Sequence, residues 1–323
     1  MSNKTIVLSV VIPLYNEAES LPELVEWINK VCNQHNIEYE VVLIDDGSKD
    51  NSWEVIKSLK ILYPTIKAHK FQRNYGKSAA LNVGFRHAIG DVVITMDADL
   101  QDSPDEIPDL IRMVVDDNFD VISGWKKRRY DPISKTVPSV FFNLVTRLIS
   151  GIKLHDFNCG LKAYRKEVIK SIEVYGEMHR YIPFLAKAAG FNKIGEKVVE
   201  HRARRYGVSK FGLERFINGF LDLLSLSFII KFGRKPMHFF GSLGVLCFVA
   251  GFFTTGYLIS EKLYKLYSGV HPGQIRPVVE QPLFYLSLVA LVSGLQMFLA
   301  GFLGELIARN SSDRNSFLIA ESI

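Results

Sequence analysis

Two carboxylates separated by a single residue, Asp97 and Asp99, directly follow the apolar run Asp91–Met96 (DVVITM). Once a chain leaves a strand its strict alternation of faces ends, so both carboxylates can turn into one cleft, where they repel unless a cation lies between or beside them. Hard divalent ions such as Mg2+ or Mn2+ take oxygen ligands and keep open positions for phosphate. Gln101 offers an amide oxygen to the same place. Alone, Asp-x-Asp is a weak signal with a plain alternative, an acidic turn; at the end of a strand in an alternating α/β chain it gains weight.

Two further clusters follow apolar runs. In Asp45-Asp46-Gly47-Ser48 the carboxylates would accept hydrogen bonds from a nucleobase imide or ribose hydroxyls, or else Ser48 or Asp50 simply caps the next helix. Pro13-Leu14-Tyr15-Asn16-Glu17 supplies a rigid turn, a ring to stack on a base and another acceptor, its alternative being a loop before a capped helix.

The elements that must position these groups are legible as alternation. Apolar, β-branched runs at Val7–Ile12, Tyr39–Ile44, Ile66–Phe71, Asp91–Met96 and Phe119–Ser123 are separated by helical patterns, which predicts an α/β fold with a mostly parallel sheet covered on both faces. Ligands of such sheets bind at the carboxyl ends of the strands. The loops to watch are therefore Pro13–Glu17, Asp45–Ser48, Arg73–Lys77 and Asp97–Gln101.

The 323 residues are 48% hydrophobic and 23% charged, too apolar for disorder. The apolar excess is concentrated in two uncharged runs, Phe239–Ile259 and Pro282–Gly304, of 21 and 23 residues. At about 1.5 Å per residue each covers the roughly 30 Å hydrocarbon core of a bilayer, which excludes a simple soluble protein. Nothing upstream approaches that length, which excludes a many-span transporter. Net charge is +5, yet Arg202 to Lys235 carries eight basic against two acidic residues, so the rest of the chain sums to −1. A basic segment before a first span suits an anionic cytoplasmic leaflet. Within it Leu213, Ile217, Phe220, Leu221, Leu224 and Phe228 recur at helical spacing, predicting an amphipathic helix that lies in the membrane interface or packs on the soluble domain. The N-terminus has a lone Lys and no small-residue cleavage site, so it does not read as a signal peptide. Cys32, Cys159 and Cys247 give neither a disulfide framework nor a zinc spacing.

In order and spacing, VVIPLYNE, VVLIDDGSKDNS, RNYGKSAALNVGF and GDVVITMDADLQDSP resemble the family-two glycosyltransferases of the GT-A fold over about the first 200 residues. Within that family DADLQDSPDEIP, HDFNCGLKAYRKEV and RRYGVSK look like the polyprenyl-phosphate sugar transferases, the group of dolichyl-phosphate mannose synthase and bactoprenol glucosyltransferase. Two C-terminal spans after an amphipathic helix look most like the latter. The expected organisation is a GT-A domain over 1–210, a juxtamembrane helix over 211–235, a two-span hairpin over 236–307 and a polar tail over 308–323.

The resemblance implies inverting transfer of one sugar, glucose from UDP-glucose, onto membrane-bound undecaprenyl phosphate with Mg2+ or Mn2+, and it leaves GDP-mannose or another nucleotide sugar as the alternative. Pro13, Tyr15, Glu17 and Asp46 would hold the nucleoside, Asp97, Asp99 and Gln101 would surround the metal, and Arg204 and Lys210 would close over the diphosphate. Lys126, Arg128, Lys135 and Ser139 would hold the acceptor phosphate. Asp156 would sit near the reaction centre as a base or a holder of the acceptor, or else as a structural cap. Lys126 stands where an Arg is common, which weakens bidentate gripping there. Gln-x-x-Arg-Trp, carried by processive synthases, is absent, which favours one sugar per cycle. The partners implied are a nucleotide sugar, a polyprenyl phosphate and a bacterial inner membrane, with the catalytic domain and both termini cytoplasmic; no nucleic acid is expected, and homo-oligomerisation is left open. Rival readings are a non-enzymatic membrane scaffold with an inactive transferase fold, and a transferase acting on a protein or diacylglycerol.

Overall fold

The computed structural model describes residues 7–127, 143–200, 202, 223–225, 227–228, 231–232, 235–271 and 274–310. The chain forms two compact units, Met1–Ser225 and Leu226–Ile323.

The first unit is built on one seven-stranded sheet: β1 (Val7–Leu14), β2 (Glu38–Asp45), β3 (Ile66–Lys70), β4 (Val92–Thr95), β5 (Val121–Trp125), β6 (Lys162–Arg165) and β7 (Ile194–Val198), in the order β3-β2-β1-β4-β6-β5-β7. The first four strands pair in parallel and β5 pairs in parallel with β7, but β6 runs antiparallel between β4 and β5. The sheet is thus mostly parallel, as its alternation predicts, with one reversed strand that the sequence did not announce. The fifth strand begins two residues later than the apolar run, because the Phe119 amide is used to close the preceding turn on the Met113 carbonyl (3.1 Å).

Four helices connect the early strands: α1 (Leu21–Gln34), α2 (Ser52–Leu62), α3 (Lys77–His87) and α4 (Ile107–Val115). In α1, Leu21, Leu24, Val25, Ile28, Val31 and Cys32 recur at helical spacing and are all buried. They join Leu8, Val10, Ile12 and Leu14 of β1 in one core cluster. The opposite face of β1 meets α3 so closely that a Cβ on Gly84 would lie 2.3 Å from Cγ1 of Val11. Covering on both faces explains why β1 reads as a continuous apolar run. Each Leu, Ile or Val fully buried this way contributes about 1.5–3 kcal/mol.

The second unit contains two long helices, Pro236–Tyr267 and Pro282–Asn310, both long and apolar enough to cross a membrane. They meet through glycines. A Cβ on Gly244 would fall 2.7 Å from the Gly294 carbonyl oxygen, and one on Gly251 2.7 Å from that of Ser287. Thr255 adds a hydroxyl hydrogen bond to Ser287 (2.9 Å). Small residues let backbones approach where burial of apolar surface gives no net drive, while Leu246, Phe253 and Val289 point outward. The first helix does not end with its apolar run but continues to Tyr267, two turns braced by the Glu261–Lys265 pair (2.5 Å). The tail expected over 308–323 and the helix expected over 211–235 lie largely outside the described residues.

Candidate active site

The carboxyl ends of β1, β2 and β4 carry the expected loops, and side-chain hydrogen bonds tie the first two together. Asn16, in the left-handed region at φ 58°, receives the Lys49 amide on Oδ1 (2.8 Å), while its own amide donates to Ser48 Oγ (2.9 Å). The Glu17 amide donates to Ser52 Oγ (3.0 Å). Asp45 is fully buried and takes the Ser48 amide on Oδ1 (2.8 Å), a tight local turn. Asp50, one of the proposed caps, accepts both the amide (3.0 Å) and the hydroxyl (2.6 Å) of Ser52 at the start of α2.

Asp46 reaches across to the loop after β3. Its Oδ1 accepts the Tyr75 amide (2.6 Å) and its Oδ2 the Gly76 amide (2.9 Å). Burial outweighs these donors and raises its pKa above the ordinary carboxylate value. Gly47, at φ 71°, is needed beneath this crossing, since a Cβ there would lie 2.5 Å from the Arg73 carbonyl carbon. Asp46 therefore fixes the loop after β3 against the end of β2, and the Arg73 guanidinium stacks over the exposed Tyr75 ring (4.7 Å) on that loop.

The centre of the site is Asp97, just past β4. Its Oδ1 is engaged by the ammonium of Lys77, the first residue of α3. Burial alone would raise the Asp97 carboxyl; the charge and hydrogen bond of Lys77, reinforced by Lys126 and Lys162, outweigh it and hold it below the usual carboxylate value. Asp99 is buried, and its Oδ1 takes the Gln101 amide (3.3 Å), with Leu100 between them turned into the left-handed region at φ 59°. That sharp reversal gathers Asp97, Asp99 and Gln101 onto one short loop. The Arg202 amide donates to the Gln101 carbonyl (3.0 Å), so the chain has returned to this loop by residue 202.

Lys126 pairs with the fully buried Asp102 (2.8 Å); burial would lower its pKa, but the Asp102 charge more than compensates and keeps it firmly protonated. Its charge is thus largely balanced within the protein. Asp156 is buried below the end of β5, where its carbonyl accepts Ser123 Oγ (3.1 Å) and its Oδ1 the Asn158 amide (3.0 Å). The turn it closes delivers Asn158, Cys159 and Gly160 to the wall facing Asp97. Cys159 is buried, which pushes its thiol up to about 12, so it packs as a neutral group.

One pocket is lined by Pro13, Lys77, Asp97, Asn158, Lys162 and His179, among others. Pro13 and Asp97 are thereby brought together, Tyr15 and Glu17 are half-buried on the β1 loop, and Asp46 stands on the β3 side. Arg128, Lys135, Ser139, Arg204 and Lys210 lie outside the described residues. Sequence reasoning did not single out Lys77 or Lys162. Both were within reach, Lys77 as the end of the third strand's loop and Lys162 as the only charge in CGLKAY.

The donor set fits a hard divalent cation. Two carboxylates and an amide share one loop, all oxygen donors, and Asp97 Oδ2 accepts no hydrogen bond among the described residues. No group of three or more His, Cys, Asp or Glu side chains that could enclose a metal occurs among the described residues.

Comparison with known proteins places this geometry. The chain is 35% identical to dodecaprenyl-phosphate galacturonate synthase of Rhizobium johnstonii, over 95% of this chain and 89% of that protein. It is 34% identical to undecaprenyl-phosphate 4-deoxy-4-formamido-L-arabinose transferase of Proteus mirabilis, over 95% and 90%. Among solved structures, glucosyl-3-phosphoglycerate synthase of Mycobacterium tuberculosis, in complex with Mn2+, UDP-glucose and phosphoglyceric acid, superposes with a TM-score of 0.53 at 18% identity, covering 69% of this chain and 80% of that one. The likeness shows the GT-A fold. The family model described as glycosyl transferase family 2 matches residues 9–173, and with these relatives it shows that the chain belongs to glycosyl transferase family 2.

Proposed function

We propose that the protein transfers one sugar from a nucleoside-diphosphate sugar to a polyprenyl phosphate, with inversion at the anomeric carbon. The observation that carries this reading is the Asp97–Gln101 loop at the end of β4, with Asp97 lining one pocket together with Pro13 of β1, in a chain that also carries two membrane-length helices. The relatives named as polyprenyl-phosphate transferases, each matched over 95% of this chain, support the acceptor class.

In this reading an oxygen of the acceptor phosphate attacks the anomeric carbon from the face opposite the nucleotide, and the nucleoside diphosphate leaves with the electrons of the broken bond. A phosphate monoester has its second pKa near 6, so its nucleophile is largely ionised at neutral pH and positioning matters more than proton removal. That assigns Asp156 to shaping the Asn158–Gly160 turn. Asp97, Asp99 and Gln101 would hold Mg2+ or Mn2+, which when bound neutralises charge on the leaving diphosphate. Pro13, Tyr15, Glu17 and the loop fixed by Asp46 would hold the nucleoside. Arg204 and Lys210 would close on the diphosphate, and Arg128, Lys135 and Ser139, with Lys126, would receive the acceptor phosphate. UDP-glucose, expected from the resemblance, is one member of the donor class; the two relatives are named for galacturonate and formamido-arabinose.

The bacterial inner membrane is the proposed location, with the transferase unit and both termini cytoplasmic. The +6 charge of residues 202–235 and Arg309 and Arg314 after the second uncharged run support that orientation.

The test is direct. Purified protein in detergent, given undecaprenyl phosphate, Mn2+ and a panel of radiolabelled nucleotide sugars, should yield a labelled lipid released by mild acid. A panel without any such product would overturn the reading, and label in protein or diacylglycerol would redirect it.

A further inference from the structure

Gln296 is the middle residue of the second long helix, Pro282–Asn310, and its side chain is exposed. The uncharged run continues beyond it through Met297–Gly304, about 12 Å of helix, so in a bilayer its amide lies within the hydrocarbon. Other polar groups of the two helices are satisfied internally. Thr254 and Ser287 donate to carbonyls of their own helices, and Thr255 donates to Ser287. Among the described residues the Gln296 side chain makes no hydrogen bond. An amide offers two N–H donors and a carbonyl oxygen, and lipid satisfies none of them, so exposure at this depth is costly.

The residues along the same stripe form a repeat. Val289, Val292, Gln296, Leu299, Leu303 and Leu306 follow one another at alternating spacings of three and four, and all are exposed. That 3.5-residue period is the seam of two helices wound left-handedly about each other, with Gln296 at a position where a lone polar side chain fixes register and partner number. The hairpin does not cover this seam. Gly294 and Gly301 face the first long helix, where their Cβ atoms would lie 2.6 Å from the Phe248 nitrogen and 3.0 Å from that of Gly241. Two residues correspond to about 200° of helix rotation, so Gln296 points away from the Gly294 contact.

The chemistry of the seam selects its occupant. Copies of one chain enter a membrane in the same orientation, so their second helices run parallel and a two-fold axis along the membrane normal sets each residue opposite itself at one depth. A side-chain amide is self-complementary, each NH2 donating to the carbonyl oxygen of the other. A different membrane protein would have to supply a polar group of its own at that depth. Building on the membrane reading, we propose that two copies of this chain pair along the Val289–Leu306 seam, with their Gln296 amides hydrogen-bonded to each other across the axis.

The experiment uses the full chain with Cys247→Ala, Cys32 and Cys159 being buried. On oxidation in the membranes of expressing cells, Leu299→Cys and Leu303→Cys should form disulfide-linked dimers, while Leu295→Cys and Phe302→Cys, about 100° or more around the helix from the seam, should stay monomeric. In detergent micelles Gln296→Leu should raise the dimer dissociation constant by about 10-fold or more, the size of two interhelical hydrogen bonds in lipid. Gln296→Asn, which keeps the amide, should stay within a few-fold of the parent. The leucine variant is the more apolar helix, so its insertion is not at risk. A monomeric parent, an unchanged constant in Gln296→Leu or equal cross-linking of all four cysteine variants overturns the pairing. Cross-links to a different polypeptide alone give the seam to another protein and overturn it too. Release of the chain from membranes by alkaline carbonate defeats the membrane reading and this proposal with it, whereas an integral monomer defeats only the pairing.

Discussion

The carboxylate of Asp97 occupies the space that any side chain at position 160 would need: a Cβ on Gly160 would lie 2.5 Å from its Oδ2 and 2.8 Å from its Oδ1. The glycine is held in place by Thr95, whose hydroxyl donates to the Gly160 carbonyl (2.8 Å). Gly160→Ala should therefore displace the Asp97 carboxylate rather than the sheet. Turnover is expected to fall by about 10-fold or more, since small misplacements at a reacting centre are costly, with thermal stability lowered by only a few degrees. A large loss of stability with normal specific activity of the folded fraction would contradict this.

Asp99→Asn removes an anionic oxygen from the Asp97–Gln101 loop, the proposed metal site, while keeping its shape. Divalent-cation-dependent turnover should drop by a factor on the order of 10², roughly 3 kcal/mol of transition-state stabilisation. Full activity of this variant in the presence of a chelator would remove Asp99 from the metal set.

Asp46→Ala leaves the Tyr75 and Gly76 amides without their acceptor. A destabilisation of about 1–3 kcal/mol is expected, together with weaker UDP binding in calorimetry as the Arg73–Gly76 loop loosens. If stability falls while UDP affinity is unchanged, the loop does not belong to the nucleotide site.

Glu40 supplies the pH dependence of the sheet. It is buried, accepts Ser9 Oγ (2.5 Å) and the Ile89 amide (2.8 Å), and pairs with Lys67 (2.7 Å). Burial would raise its pKa, but these partners outweigh it and lower the folded value below 4.5. A carboxyl depressed on folding stabilises fully above its unfolded value, and that contribution disappears as pH falls through the folded one. Glu40→Gln should cost about 1–3 kcal/mol at pH 7, and its deficit relative to the parent should shrink below pH 4.5 in thermal melts.

Orientation is testable at the turn between the long helices. A Cys placed at Gln274 should react with a membrane-impermeant thiol reagent in intact cells. Reaction only after permeabilisation would reverse the proposed topology.

The early half of the fold is legible because β1, the inner part of β2 and β4 are buried and show as mainly apolar runs, VVI, VVLI and VVIT at their centres. Strand β6 is not. Its four residues, Lys-Ala-Tyr-Arg, are half polar, and Lys162 is buried there although it carries an ionisable group. The acidic loops could be located from the rule that parallel sheets bind ligands at their carboxyl ends. The Lys77–Asp97 pair could not, because it depends on how far α3 slides along β1, which Gly84 fixes by its contact with Val11 and which no local pattern encodes.

The reversed strand also bears on how the protein is made. Strands β1 to β4 can assemble as the chain emerges, but β4 needs β6 on its free side, and the Thr95–Gly160 bond that joins the two spans 65 residues. At about 5–20 residues per second, synthesis leaves the β4 edge unpaired for several seconds. An open edge is a template for pairing with another chain. Aggregation during expression should accordingly begin at β4, and the strand that brings Lys162 and Tyr164 to the pocket beside Asp97 is also the one that closes this vulnerable edge.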